Sequence, residues 1–253
     1  MYSLEIECDP EDRELLIADL WDRGSAGIAE LSPSRIRAFF EDDVDRSELL
    51  NLFPGAVPRV EEDRDWVQSS RDLLQPMVVG RRFFLVPEWR DDPAPHGFFR
   101  IAVNPGLAFG TGVHETTRLC IEAMEDFLVR GMTVLDVGSG SGILGEAARL
   151  LGAARIYSCD IDSDAVRIAG HGFVGSVDAV AGETADLVTA NISPEAIVRL
   201  APDLLRVLRP SGILLASGFE IAEVNAVQAA LPLGELRVKG NWALLAVRCA
   251  PSG

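Results

Sequence analysis

A single lysine, Lys239, stands against 22 arginines in 253 residues, a bias that points to genome composition rather than to a function. Cysteine is sparse. Cys8, Cys120, Cys159 and Cys249 are scattered singly, so neither a metal-ligand pair nor a disulfide framework can be read from them. A reduced, cytoplasmic protein is the simplest expectation. No apolar run is long enough for a membrane span, although 48% of the residues are hydrophobic. The opening Met1-Tyr2-Ser3-Leu4-Glu5 lacks the basic-then-apolar order of a secretory leader. Positive charge is also short. The net charge is −16, and residues 1–65 hold 18 acids against 7 bases. That surface repels nucleic acid phosphates and attracts basic partners, more weakly as salt rises. It argues against direct nucleic acid binding.

What is present is a strand, a glycine turn and a helix. Val134-Leu135-Asp136-Val137 runs into Gly138-Ser139-Gly140-Ser141-Gly142, and a helical stretch from Ile143 to Leu151 stops at Gly152. A strand that reverses at once into a helix needs unusual backbone angles, and glycine lets the main chain approach a ligand closely. Asp160 ends the next apolar stretch, at the distance where a nucleotide-binding βαβ unit places its ribose-binding acid. An adenosine-bearing ligand is therefore expected here.

The chain before this motif reads as a separate small domain. Tyr2, Leu4, Ile6 and Cys8 alternate with polar residues, as in a half-buried strand. Asp9-Pro10 starts a helix that ends near Gly24. Gly27–Leu31 and Ile36–Phe40 read as a hairpin across Ser32-Pro33-Ser34, followed by a short helix (Val44–Phe53) and a strand near Val57–Val60. The β-α-β-β-α-β order is that of a ferredoxin-like α+β domain. We expect an acidic substrate-recognition domain over 1–60, a connector over 61–98 and a catalytic domain over 99–253. In the connector, Asp65-Trp66 opens a helix that ends before Pro76, and Val78–Val86 reads as a strand pair or an extended segment. Trp66 and Trp89 fit a domain junction better than a ligand cover.

Beyond Asp160 the expected strands are Val177–Ala181, Asp186–Asn191 and Ile213–Ser217, with helices over Ala196–Leu208 and Ala222–Ala230. Arg209-Pro210-Ser211-Gly212 reads as a helix stop and turn. Glu235–Lys239 and Trp242–Val247, joined at Gly240-Asn241, read as a closing antiparallel hairpin.

Gly140-Ser-Gly142-Ile-Leu-Gly145 also fits the dinucleotide pattern G-x-G-x-x-G, a weak signal alone. Asp136 argues against it, because a pyrophosphate at that turn would meet a carboxylate whereas a sulfonium and an ammonium would be attracted. A second dinucleotide half would continue with parallel units rather than a hairpin. A third objection is the loop Asn104-Pro105-Gly106-Leu107-Ala108-Phe109-Gly110-Thr111-Gly112-Val113-His114-Glu115-Thr116-Thr117, for which a dehydrogenase has no evident use. That loop is suited to covering a ligand, with Phe109 as an apolar wall and threonine hydroxyls as donors. His114, alone near a helix start, fits capping better than base catalysis.

Val134–Gly142 resembles the first motif of the class I, S-adenosylmethionine-dependent methyltransferases, and Asn104–Thr117 closely resembles the signature of the bacterial ribosomal protein L11 methyltransferases. Asp65-Trp66, Pro76, Gly80-Arg81-Arg82, Pro87-Glu88-Trp89, Ala190-Asn191-Ile192 and Trp242-Ala-Leu-Leu-Ala extend the similarity over most of the chain. The resemblance implies a doubly wound α/β methyltransferase sheet ending in an antiparallel hairpin. It implies that Thr117, Gly138, Asp160 and Asn191 contact S-adenosyl-L-methionine, with Gly140 admitting the methionine end and Phe109 and Thr111 closing over it. Asn191 would also orient the incoming nucleophile, the one catalytic role assigned, and no metal is implied. The expected reaction is methyl transfer to lysine ε-amines or the N-terminal α-amine of L11, by a monomer with a basic ribosomal protein as partner. Another protein lysine, a small molecule, or loss of turnover with retained cofactor binding are the alternatives. The sequence departs from the family after Asp160. Ser163–Val180 is compressed and rich in glycine, and Ala181-Gly182-Glu183 is the expected remnant of the adenine-side loop. Asn191-Ile-Ser-Pro replaces the usual Asn-Ile-Leu-Ala.

Overall fold

The computed structural model describes residues 2–9, 13–32, 34–60, 75–103, 114–170 and 172–250. The chain divides into two compact units, residues 1–73 and 74–253. The helix expected from Asp65-Trp66 lies outside the described residues.

The first unit contains β1 (Tyr2–Glu7), α1 (Arg13–Asp22), β2 (Gly27–Ser32), β3 (Arg35–Phe40), α2 (Arg46–Leu52) and β4 (Val57–Val60). The strands form one antiparallel sheet in the order β2-β3-β1-β4. Period-two alternation places Leu4, Ile6, Ile36, Ala38 and Phe40 on one buried face, where Leu20 and Leu49 join them. Glu5 sits between Arg37 and Arg59, and these guanidinium groups hold its carboxyl below the usual range. The α2 helix starts two residues after Val44, with the Asp45 carboxylate accepting from the N–H groups of Ser47 and Glu48.

The second unit begins with β5 (Met77–Val79), β6 (Phe83–Pro87) and β7 (Phe99–Val103), a three-stranded sheet in that order. Only its first pair was legible in sequence. β7 is short, and its parallel pairing with β6 depends on a long intervening loop. Then follow α3 (Glu115–Phe127), β8 (Thr133–Val137), α4 (Ile143–Leu151), β9 (Arg155–Asp160), α5 (Ser163–Ala169), β10 (Phe173–Val174), β11 (Ala185–Asn191), α6 (Pro194–Arg206), β12 (Leu208–Glu220), α7 (Val224–Ala230), β13 (Glu235–Lys239) and β14 (Trp242–Arg248). The large sheet runs β10-β9-β8-β11-β12-β14-β13, parallel except where β14 meets β12 and β13. Its direction of winding reverses between β8 and β11, where open α/β sheets bind ligands beyond the carboxyl ends of their strands.

Burial on both faces explains why β8 reads as a nearly unbroken apolar run. Val134, Leu187, Leu215 and Leu244 face one layer with α3 and α4, while Leu135, Val188, Leu214 and Leu245 face the other with α6 and α7. The closing hairpin forms as expected, with Gly240 at φ +57° in its turn. Two boundaries differ from expectation. Val177–Ala179 is a single 3₁₀ turn, and the strand is instead Phe173–Val174, which pairs with Cys159 and Asp160. A glycine-flanked segment this short makes two residues of edge strand, and then Val177 turns inward to be buried. Residues 209–212 belong to β12, whose pairing with β11 is interrupted rather than ended there.

The turn between β5 and β6 is clasped to α3. The backbone N–H groups of Arg81 and Arg82 donate to the Glu125 carboxylate at 2.8–3.0 Å, and that side chain is 2% exposed. Removing the acceptor leaves the two N–H groups, on exposed residues, to water. Glu125→Ala is therefore expected to cost about 1.5–3 kcal/mol, measured by urea denaturation. An unchanged midpoint would refute this account of the clasp. Among the described residues no helix is long and apolar enough to cross a membrane.

Candidate functional site

The carboxyl ends of β8, β9, β11 and β12 bring Gly138, Asp160, Asn191 and Gly218 to one edge of the sheet. Parallel register does this directly: Val137 pairs with Cys159 and with Ala190, and Asn191 pairs with Ser217. Gly138, Gly140 and Gly142 all have positive φ, at +73°, +50° and +76°. The turn thus alternates left-handed glycines with serines and holds the main chain open at the start of α4. The N–H of Gly140 donates to Asp160 Oδ2 at 2.9 Å, and the N–H of Asp162 donates to Oδ1 at 3.0 Å. Both bonds orient a half-buried carboxylate at the strand end and leave each oxygen a further lone pair for a hydroxyl.

Asn191 donates from Nδ2 to Thr117 Oγ1 at 3.4 Å, across from the first turn of α3. Its side-chain carbonyl is left as an acceptor facing the same edge. His114 caps that turn, its Nδ1 lying 2.8 Å from Thr116 Oγ1 and accepting from the Thr116 N–H, while its ring meets Trp242 edge-on at 4.5 Å. Nδ1 is thus engaged in the helix cap. Thr117, Gly138, Gly140, Asp160 and Asn191 thus lie at one edge of the sheet. Phe109 and Thr111 lie outside the described residues.

Asp136 lies one strand repeat below Gly138 and is 1% exposed. Thr189, its register partner on β11, donates to Oδ1 at 2.7 Å. Burial pushes the Asp136 carboxyl up to about 7, opposed by the Thr189 bond and a Gly145 backbone bond and reinforced by the charge of Asp160. Its Oδ2 and the Ser139 hydroxyl are buried without hydrogen-bond partners among the described residues. Both belong to the glycine motif, and both suit a polar ligand with a cationic end.

Two features escaped the sequence. Ile192 fills the space between Gly138 and Gly218. A Cβ on Gly138 would stand 2.3 Å from its Cγ2, and one on Gly218 would stand 2.2 Å from its carbonyl oxygen. A glycine inside the strand pattern at 218 was the available signal. The second is a correction. Ala181-Gly182-Glu183 is not on the adenine side; it precedes β11, with the Glu183 N–H bonded to Arg206 O at 3.1 Å at the opposite end of the sheet. The segment beside Asp160 is Gly175–Asp178, tied by the Gly175 N–H to Asp160 O at 2.8 Å. A parallel strand's two ends cannot be told apart by composition, and the misplaced strand at 177–181 carried the loop with it.

A family model described as ribosomal protein L11 methyltransferase (PrmA) matches residues 22–248. The chain belongs to the ribosomal protein L11 methyltransferase family. It is 38% identical over 221 residues to the enzyme of that name from Pelotomaculum thermopropionicum, covering 79% of this chain and 72% of that one. It is 34% identical to the one from Pelobacter propionicus, covering 98% and 97% of the two chains. A crystal structure of the ribosomal protein L11 methylase from Lactobacillus delbrueckii subsp. bulgaricus superposes with a TM-score of 0.65 at 30% identity, over 71% of this chain and all of that one.

The cofactor of these methyltransferases is S-adenosyl-L-methionine, and the residues present fit it: a carboxylate for the ribose at Asp160, an open glycine turn, and unpaired buried polar atoms beside that turn. Gly138→Ala places a methyl group against Ile192 at a left-handed backbone position. It is expected to weaken cofactor binding at least about ten-fold and to lower the melting temperature. Calorimetric titration together with a thermal melt checks both, and unchanged binding would count against the packing of Ile192.

Proposed function

We propose that this chain transfers methyl groups from S-adenosyl-L-methionine to amines of ribosomal protein L11, at lysine ε-amines, the N-terminal α-amine, or both. The observation that carries this reading is the family match over residues 22–248 on a sheet whose strand ends assemble Thr117, Gly138, Asp160 and Asn191. Asp160 binds the ribose hydroxyls through charge-assisted bonds, and Gly138 and Gly140 admit the methionine end. The bound cofactor supplies an electrophilic methyl group on its sulfonium.

Asn191 accepts from the acceptor amine and aligns it, its amide fixed by Thr117. The amine attacks as the neutral base, and burial that lowers its pKa favours this form. No protein base is assigned. Alignment and water exclusion provide most of the rate, for which well-oriented groups contribute roughly 7–11 kcal/mol. We assign residues 1–60 to recognition of the basic substrate through their acidity, with 61–98 as connector and 99–253 as the catalytic domain. On this reading the first unit is a ferredoxin-like module, and the protein works in the cytoplasm as a monomer without binding nucleic acid directly.

Incubation of the purified chain with labelled S-adenosyl-L-methionine and free L11 tests the proposal. Label is expected in L11. Asp160→Ala is expected to abolish cofactor binding, and Asn191→Ala to lower kcat by about 10²-fold. Intact cofactor binding with no incorporation into L11 overturns the assigned substrate.

A further inference from the structure

Between β10 and β11 the chain crosses from one end of the sheet to the other within residues 175–184, through a 3₁₀ turn at Val177–Ala179. Parallel strands are usually joined by a crossover helix of about a dozen residues or more, which satisfies its own carbonyls. A connection this short has to find donors elsewhere. Val177 is buried and Val180 packs against the same core, but Gly170, Gly172 and Gly175 give the approach to them little stiffness, with φ of +72°, +109° and +155°. The donor is Arg206, the last residue of α6. Its Nη1 donates to Val180 O at 2.7 Å, and its Nη2 to Val177 O and Asp178 O, each at 3.3 Å. Its Nε donates to Asp203 Oδ1 at 2.9 Å, one turn back on the helix, which fixes the plane of the guanidinium. The charge also lies at the carboxyl end of α6, where the helix dipole favours a cation.

At its other end the same segment borders the ligand edge. The Gly175 N–H donates to Asp160 O at 2.8 Å, and Phe173 and Val174 pair with Cys159 and Asp160. The connection is thus pinned at two points, to the strand that carries Asp160 and to Arg206 at the end of α6. We propose that Arg206 is a positioning residue for the adenosine end of the cofactor: it holds residues 177–180 against the sheet and so keeps the wall beside Asp160 in its binding shape before the ligand arrives. The inference rests on S-adenosyl-L-methionine being the cofactor. Arg206 acts through the backbone that it holds. Arginine suits this task because its planar fork serves several acceptors at once, which a single ammonium on a flexible stem does less well. Without the clamp a glycine-rich segment has to be ordered as the ligand binds, and that cost appears as lost affinity.

The test is calorimetric titration of the full chain with S-adenosyl-L-methionine and with 5′-methylthioadenosine, which keeps the adenosine and lacks the methionine end. Arg206→Ala is expected to raise both dissociation constants by the same factor, about ten-fold. Arg206→Lys restores part of the loss. Asp203→Asn leaves the carbonyl contacts but frees the guanidinium plane, and is expected to weaken binding about two- to three-fold, a separate test should Arg206→Ala fail to fold. Hydrogen exchange at the amides of residues 175–180 quickens in Arg206→Ala. A folded Arg206→Ala with both constants unchanged overturns the proposal, because an arginine that only supports the fold lowers the melting temperature and leaves affinity alone. Weaker binding of S-adenosyl-L-methionine with 5′-methylthioadenosine unaffected overturns it too. If the unmodified chain binds neither compound, the cofactor reading fails instead, and the proposal falls with it.

Discussion

Ile192 passes between two strand ends that carry no side chain, and this close approach sets the shape of the crevice. Neither Gly138 nor Gly218 can bear a Cβ without meeting Ile192. With that residue seated, Asn191 is held beside the glycine turn and within reach of Thr117 on α3. The parallel register of β8, β9, β11 and β12 then delivers the remaining groups to the same edge. A side chain at either glycine would push the post-strand loop outward and take the acceptor carbonyl with it.

Beneath this edge the unit follows two rules of packing. Apolar side chains alternate onto two faces of a sheet covered on both sides, which gives the sheet its rigidity. Where polar groups interrupt that alternation they occur in pairs across strands, as with Asp136 and Thr189, or reach backbone, as Ser217 does to Ala243 O at 2.8 Å. Among the described residues the second oxygen of Asp136 and the hydroxyl of Ser139 are exceptions. A buried polar atom left unpaired inside an otherwise satisfied core is expected at a place that meets a ligand.

The clasp on Glu125 acts at a distance from the chemistry but on the same helix. It joins the β5–β6 turn to the far end of α3, whose first turn carries Thr116 and Thr117. Arg237 and Lys239 on the last hairpin add ion pairs to Asp126 and Glu122 of that helix. The helix is therefore anchored along its length by backbone donors and by charge, and Thr117 is presented from a fixed support.

The amino-acid sequence by itself determined the repeat of strand and helix, the glycine turn, the acid at the strand end, Asp160, and the closing hairpin. Each of these rests on local chemistry: side-chain alternation, left-handed backbone at glycine, and turn residues between apolar runs. Only the tertiary structure decided which strand ends lie together, because register and strand order arise from contacts distant in the chain. It moved the short strand from 177–181 to Phe173–Val174 and removed Glu183 from the ligand side. It showed His114 to be a helix cap, since a histidine's role depends on what its ring nitrogens touch. It also paired Asp136 with Thr189, 53 residues apart, a contact no local pattern could announce.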